Sequence, residues 1–169
     1  MIFYSIIKNS VMERNEKTIE ILNDLIRINN DRIEGYQKAI EDTREEDVDL
    51  RNTFNRMADE SRNYKMELTE QVRRAGGEPT SQATAPGKIY RVWMDLKSAV
   101  TGHGRESVLE LCEFGEDAAQ KAYDKALDVD EGVPLDVKTL IKNQKDALKS
   151  SHDTIKQYRD MQHAANRTR

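Results

Sequence analysis

The sequence predicts an all-α chain folded as a four-helix bundle, two antiparallel hairpins joined by one long crossover. Three observations carry that prediction. Apolar residues recur at steps of three and four through four separate stretches. The three prolines and most of the eight glycines fall between those stretches or, for Pro134, at the first residue of one. Charged residues make up 34 % of the 169 and aromatics 6 %, a balance that suits long solvated helices better than sheets. The mean hydropathy of −0.84 would also suit a disordered chain, but disorder needs no periodicity.

The first helix is predicted over residues 13–43. Its stripe is Ile19, Leu22, Ile26, Asn29, Ile33, Tyr36 and Ile40, a seven-residue repeat with one polar interruption. Thr43-Arg44-Glu45-Glu46 reads as a capping box for the next helix. The loop is then tight, and the first two helices are antiparallel neighbours. The second helix is predicted over residues 45–75, with the stripe Leu50, Phe54, Met57, Ser61, Tyr64, Leu68 and Val72. Gly76-Gly77, followed by Pro79, ends it.

Residues 77–104 form the crossover. A polar loop from Glu78 to Pro86 precedes a short amphipathic helix carrying Ile89, Val92, Trp93, Leu96 and Val100, with Trp93 as its anchor. A helix of 28 residues is about 42 Å long, a distance this crossover can span, so the second and third helices run parallel. The third helix covers residues 105–128. Its face, Val108, Leu111, Cys112, Gly115, Ala118, Ala119, Ala122 and Ala126, is mostly small. Gly115 costs about 1 kcal/mol relative to alanine in mid-helix, which close packing explains. Gly132 and Pro134 separate the third helix from the fourth, which is predicted to open at Pro134 and run over residues 134–163, with Val137, Ile141, Gln144, Leu148, Ser151, Ile155, Tyr158 and Gln162 on one stripe. Residues 1–12 are a short apolar leader peripheral to the core, with Met12 as a second candidate start, and residues 166–169 are a tail.

Composition excludes several functions. The net charge is −4 and the pI about 5.5; with no basic stripe, nucleic acid is not an expected partner. No run approaches the roughly 20 apolar residues of a membrane span. A lone Cys112 fits a reducing cytoplasm and reads as a small core residue. No Gly-rich phosphate loop, nucleophile elbow, Cys-x-x-Cys or His-Glu-x-x-His motif is present.

The interruptions of the four stripes converge halfway along the helices. Asn29, Ser61, Gln144 and Ser151 form a polar core layer, whose structural role is to fix helix register at some cost in stability. At the edge of the same faces lie Glu60, Glu116 and His152, the residues placed to hold a metal ion. Glu110 and Glu113 read as solvated, and His103 and His163 lie away from the layer. Phe114, Leu127 and Leu140, off the main stripes, point to a homodimer or a protein partner.

Four segments carry a family resemblance. They are Leu22-Asn23-Asp24-Leu25-Ile26, the run from Ile28 to Tyr36 (INNDRIEGY), Arg91-Val92-Trp93-Met94-Asp95-Leu96-Lys97, and the run from Cys112 to Tyr123 (CEFGEDAAQKAY). Over residues 16–162 the chain resembles an uncharacterised bacterial family of four-helix bundles within the ferritin-like superfamily. The resemblance implies a ferritin-like bundle and hints at stress or envelope physiology. Di-iron members of that superfamily use one glutamate from each of two helices and Glu-x-x-His from each of the others. This sequence departs from that set. Asn29 stands for an inward carboxylate, Asn63 for the histidine after Glu60, and Lys149 for the glutamate before His152. Glu60, Glu116 and His152 could still hold one zinc ion with an open position. The expectation is therefore a non-enzymatic cytoplasmic binding protein without cofactor; the alternative is a zinc- or iron-binding protein with redox or hydrolytic activity.

Overall fold

The computed structural model describes residues 2–83, 104–129 and 132–168. Four helices make up the described fold: α1 (Ile2–Asp42), α2 (Val48–Arg74), α3 (Arg105–Leu127) and α4 (Leu135–Arg167). The expected short helix of the crossover and the Trp93 anchor lie outside the described residues. The first helix starts at Ile2 where Glu13 was expected, and the fourth runs on to Arg167.

Residue pairings fix the directions. Asn29 meets Tyr123 and Arg32 meets Glu116, so α1 and α3 are antiparallel. Gln144 meets Tyr123, while Arg159 meets Glu113, so α3 and α4 are antiparallel. Gln144 meets Glu67 and Ser151 meets Glu60, so α4 runs against α2. The start of α2 and the start of α3 share an end of the bundle, where Arg105 binds Asp49 at 2.7 Å. Round the bundle the order is α1, α2, α4, α3, and a long crossover must return the chain from the end of α2 to the start of α3. Its first described residues lie along α1. Asn23 bonds the backbone of Glu78 and Thr80, and Asn30 donates to the Gln82 carbonyl at 2.8 Å.

The connection between α1 and α2 differs from the expected capping box. Thr43 donates back to the Ala39 carbonyl at 2.7 Å, which finishes α1, and α2 begins after Asp47 with no side-chain cap. Arg51 supplies the missing partner from the other side, donating to the carbonyls of Ile40 and Thr43 at 2.8 and 3.0 Å; these are acceptors that a helix end leaves open. The end of α2 is a Schellman motif. Gly77 N–H bonds the Val72 carbonyl and Gly76 N–H that of Arg73, with Gly76 at φ 83°. A side chain at Gly76 would have to adopt the left-handed region.

The apolar core runs the length of the bundle. It takes Leu22, Leu25 and Ile26 from α1, Leu50, Phe54 and Leu68 from α2, and Leu109, Cys112, Ile141, Leu148 and Ile155 from the other pair. Leu127 packs partly against this core and Leu140 is half-buried, so of the three off-stripe residues Phe114 alone is substantially exposed.

Candidate functional site

The buried face of α1 is not the one with the most apolar residues. Thr18, Leu22, Leu25, Asn29, Arg32, Tyr36, Ala39 and Thr43, at alternating steps of four and three, are all buried, while Ile33 and Ile40 are only half-buried. The helix thus turns Arg32 into the centre of the bundle, its side chain 1 % exposed. An unpaired guanidinium there would carry a large desolvation cost, and three helices remove it. Arg32 Nε donates to Glu116 Oε1 at 3.2 Å and Nη2 donates to the same oxygen. Its Nη1 donates to Ser61 of α2, and the Tyr36 hydroxyl donates to Glu116 Oε1. The Arg32 plane also lies 5.4 Å from the Tyr36 ring centroid, within cation–π range.

A second network crosses the bundle beside the first. Asn29 Nδ2 donates to the Tyr123 hydroxyl at 2.8 Å and to the Leu25 carbonyl at 2.9 Å. The Tyr123 hydroxyl donates to Gln144 Oε1 at 2.8 Å, and Gln144 Nε2 donates to Glu67 at 2.7 Å. One chain of donors therefore links all four helices. Asn29, Ser61, Gln144 and Ser151 are each buried, as the interrupted stripes predict.

The electrostatics keep the Arg32 guanidinium charged and the hydroxyls and thiol around it neutral. Burial works most strongly against the Arg32 charge, but Glu116, Tyr36 and Tyr123 together outweigh it, and the guanidinium stays above its usual range. Burial pushes the Tyr36 hydroxyl well up, and the Glu116 charge adds to it. The Cys112 thiol is pushed well up by burial and then by Glu116, so it is no thiolate nucleophile. Tyr123 is raised by burial against the opposing Asn29 hydrogen bond.

Glu60, Glu116 and His152 do not share a site. Glu116 belongs to Arg32 and Tyr36. Glu60 accepts from Ser151 at 2.8 Å. His152 faces Asp117 at 2.9 Å and Asp153 at 3.2 Å. Their spacing on the helical wheel placed them on neighbouring faces, but each is engaged by a different neighbour. The dinuclear iron set of ferritin-like bundles does not fit these residues, because the buried Glu116 carboxylate already carries a fixed cation. Glu113, read as solvated, is mostly covered and pairs with Arg159.

Arg32 and Tyr123 are the buried residues of this layer that hydropathy missed, with the exposed Glu67 at the end of their network. The signal for Arg32 was its spacing, three residues after Asn29 and four before Tyr36, on a repeat continuous with Leu22 and Leu25.

Known proteins support the fold. A solved structure described as a mutant of Mycobacterium smegmatis Dps1 superposes with a TM-score of 0.75 at 14 % identity, covering 87 % of this chain and 97 % of that one. The fold of this chain is accordingly a ferritin-like four-helix bundle. No curated protein sequence matches it. The profile of a family described as Domain of unknown function (DUF2383) matches residues 17–129, and the chain belongs to that family.

Proposed function

We propose that the chain is a non-enzymatic cytoplasmic bundle that acts by binding, and that the Arg32–Glu116 pair stands where a metal-dependent relative would place a cation. The observation that carries this reading is the Arg32 guanidinium on the buried Glu116 carboxylate. A positive charge fixed in the layer repels a second one, and two buried charges are stable only when their geometry and hydrogen bonds repay desolvation. The neighbouring Cys112, Tyr36 and Tyr123 are protonated and covered, so none is an accessible nucleophile or base.

Binding then falls to the outer surface. A mostly apolar groove of about 430 Å³ between α1 and α3, lined by Ile21, Leu25, Ile28, Ala122, Ala126 and Val129 with the charged Asp24 and Lys125, is the kind of concavity that takes a partner. A second copy of the chain is the expected one. No helix among the described residues is long and apolar enough to cross a membrane.

The test is metal analysis of protein purified without chelator after growth with added iron. The reading expects no pair of tightly held irons. Two such irons per chain, lost in Glu116→Gln protein that still folds, would overturn it. Light scattering across a concentration series addresses the partner; a monomer at the highest concentration removes the second copy.

A further inference from the structure

Away from the polar layer, three side chains converge where the start of α3 meets the end of α4. Glu106 and Glu110 stand one turn apart on α3, and His163 faces them from α4. His163 Nε2 lies 2.8 Å from Glu106 Oε1 and 3.4 Å from Glu110 Oε1. One ligand atom from each residue falls within 4.8 Å of the other two.

Two features separate this group from an ordinary surface ion pair. His163 Nε2 is buried and, despite its closeness to both carboxylates, makes no hydrogen bond. Short distances without in-line geometry mean that neither oxygen lies along the ring's N–H direction. The ring is therefore not satisfied by its carboxylate neighbours, although it is surrounded by them. The second feature is support from outside. Asn166 Nδ2 donates to Glu106 Oε2 at 2.6 Å, and Gln162 Nε2 donates to Asn166 Oδ1 at 3.1 Å. The outer oxygen of Glu106 is held, and Oε1 is turned to the histidine. Outer contacts of this kind orient metal ligands.

We propose that Glu106, Glu110 and His163 bind one divalent transition-metal cation of the zinc type. Nitrogen and oxygen ligands sit at about 2.0–2.2 Å from zinc in a tetrahedron, which leaves neighbouring ligand atoms about 3.4 Å apart; His163 Nε2 lies 3.4 Å from Glu110 and, closer, 2.8 Å from Glu106. Two carboxylates and a neutral imidazole balance a double positive charge, and solvent completes the coordination on the exposed side of Glu110. Glu106 lies ten residues before Glu116 along α3, about 15 Å at 1.5 Å per residue, so the site shares nothing with the core pair. A cation there would clamp the first turns of α3 to the last turns of α4.

Cobalt(II) is the probe, titrated into the metal-free full chain and followed by visible absorption, with zinc(II) as competitor in calorimetry. The expected result is one equivalent bound, displaced by zinc, and a thermal midpoint that rises with saturating zinc. His163→Ala and Glu106→Gln should each weaken cobalt binding about tenfold or more, a loss in the range seen when metal sites are damaged, while Glu60→Gln leaves it unchanged. All three positions face solvent at least in part, so folding of each variant is checked by circular dichroism. Unchanged binding in His163→Ala, or no uptake by the parent chain, would overturn the proposal. Either result leaves the reading of the Arg32–Glu116 pair standing, because that reading is tested by Glu116→Gln and tightly held iron.

Discussion

Two stretches of the same helix invert the usual rule of hydropathy. At the start of α1, Ile2, Phe3, Ile6, Ile7, Val11 and Met12 are between 50 % and 82 % exposed. In its middle, Asn29, Asn30, Asp31 and Arg32 are buried. Apolar character alone does not bury a residue; a neighbour must be there to cover it. Polar character does not forbid burial either, provided that the neighbours bring partners. The first turns of α1 extend past the loop that joins α3 to α4, which packs near Arg14 and Asn15. The middle is wrapped by α2, by α3 and by the segment after α2.

The strongest way to break the buried half of this comparison is to remove one charge. Glu116→Gln should leave Arg32 uncompensated and cost about 3–5 kcal/mol, read as a lower midpoint in urea unfolding. A loss below about 1 kcal/mol would mean that the guanidinium reaches water. Replacing both charges sharpens the point. The Arg32→Met, Glu116→Leu double variant should recover most of that loss, since exchanging a buried pair for apolar side chains is often neutral or stabilising by about 1–4 kcal/mol. The resulting coupling is far from additive, which a double-mutant cycle measures.

The hydroxyls around the pair predict an alkaline weakness. Tyr36 and Tyr123 are raised from an ordinary value of 10.0, and Cys112 from 9.0. An acid whose folded pKa is raised favours folding while it is protonated in both states. That contribution is complete at neutral pH and is lost as pH rises past the unfolded values and towards the folded ones. Stability should therefore fall steadily above about pH 9. Tyr123→Phe should cost roughly 1–2 kcal/mol at neutral pH by orphaning Gln144 and Asn29, and should flatten the alkaline fall. An unchanged pH profile in Tyr36→Phe and Tyr123→Phe would show that other groups cause it.

The exposed half of the comparison predicts the smallest effect. Deleting residues 1–11 should change stability by no more than about 0.5 kcal/mol, as surface changes usually do, and shift the thermal midpoint by a few degrees at most. Unfolding of the shortened chain would show that the greasy arm is covered in solution.

The same helix shows what the sequence could disclose. Periodicity announced the four helices, and the polar breaks at Asn29, Ser61, Gln144 and Ser151 all lie inside the bundle. The register of α1 was harder. Two seven-residue repeats overlap in it, one through Ile26, Ile33 and Ile40, the other through Leu25, Arg32 and Ala39. Hydropathy favours the first. The structure uses the second, because an arginine can be buried if Glu116, Ser61 and Tyr36 meet it, and two of those lie on other helices. A single helix cannot announce partners that its neighbours supply. The cluster at His163 escaped for the same reason, since it joins the first turns of α3 to the last turns of α4.

The pairing of Arg32 with Glu116 also sets an order for biosynthesis. The two residues are separated by 84 positions, so at 5–20 residues per second the arginine waits roughly 4–17 s for its carboxylate. During that interval the α1–α2 hairpin can form while its inner face lacks α3. A face made only of leucine and isoleucine would stand bare in a crowded cell, an invitation to aggregate. With a guanidinium and asparagines at its centre, that face can be solvated until the second hairpin arrives and draws it out of water.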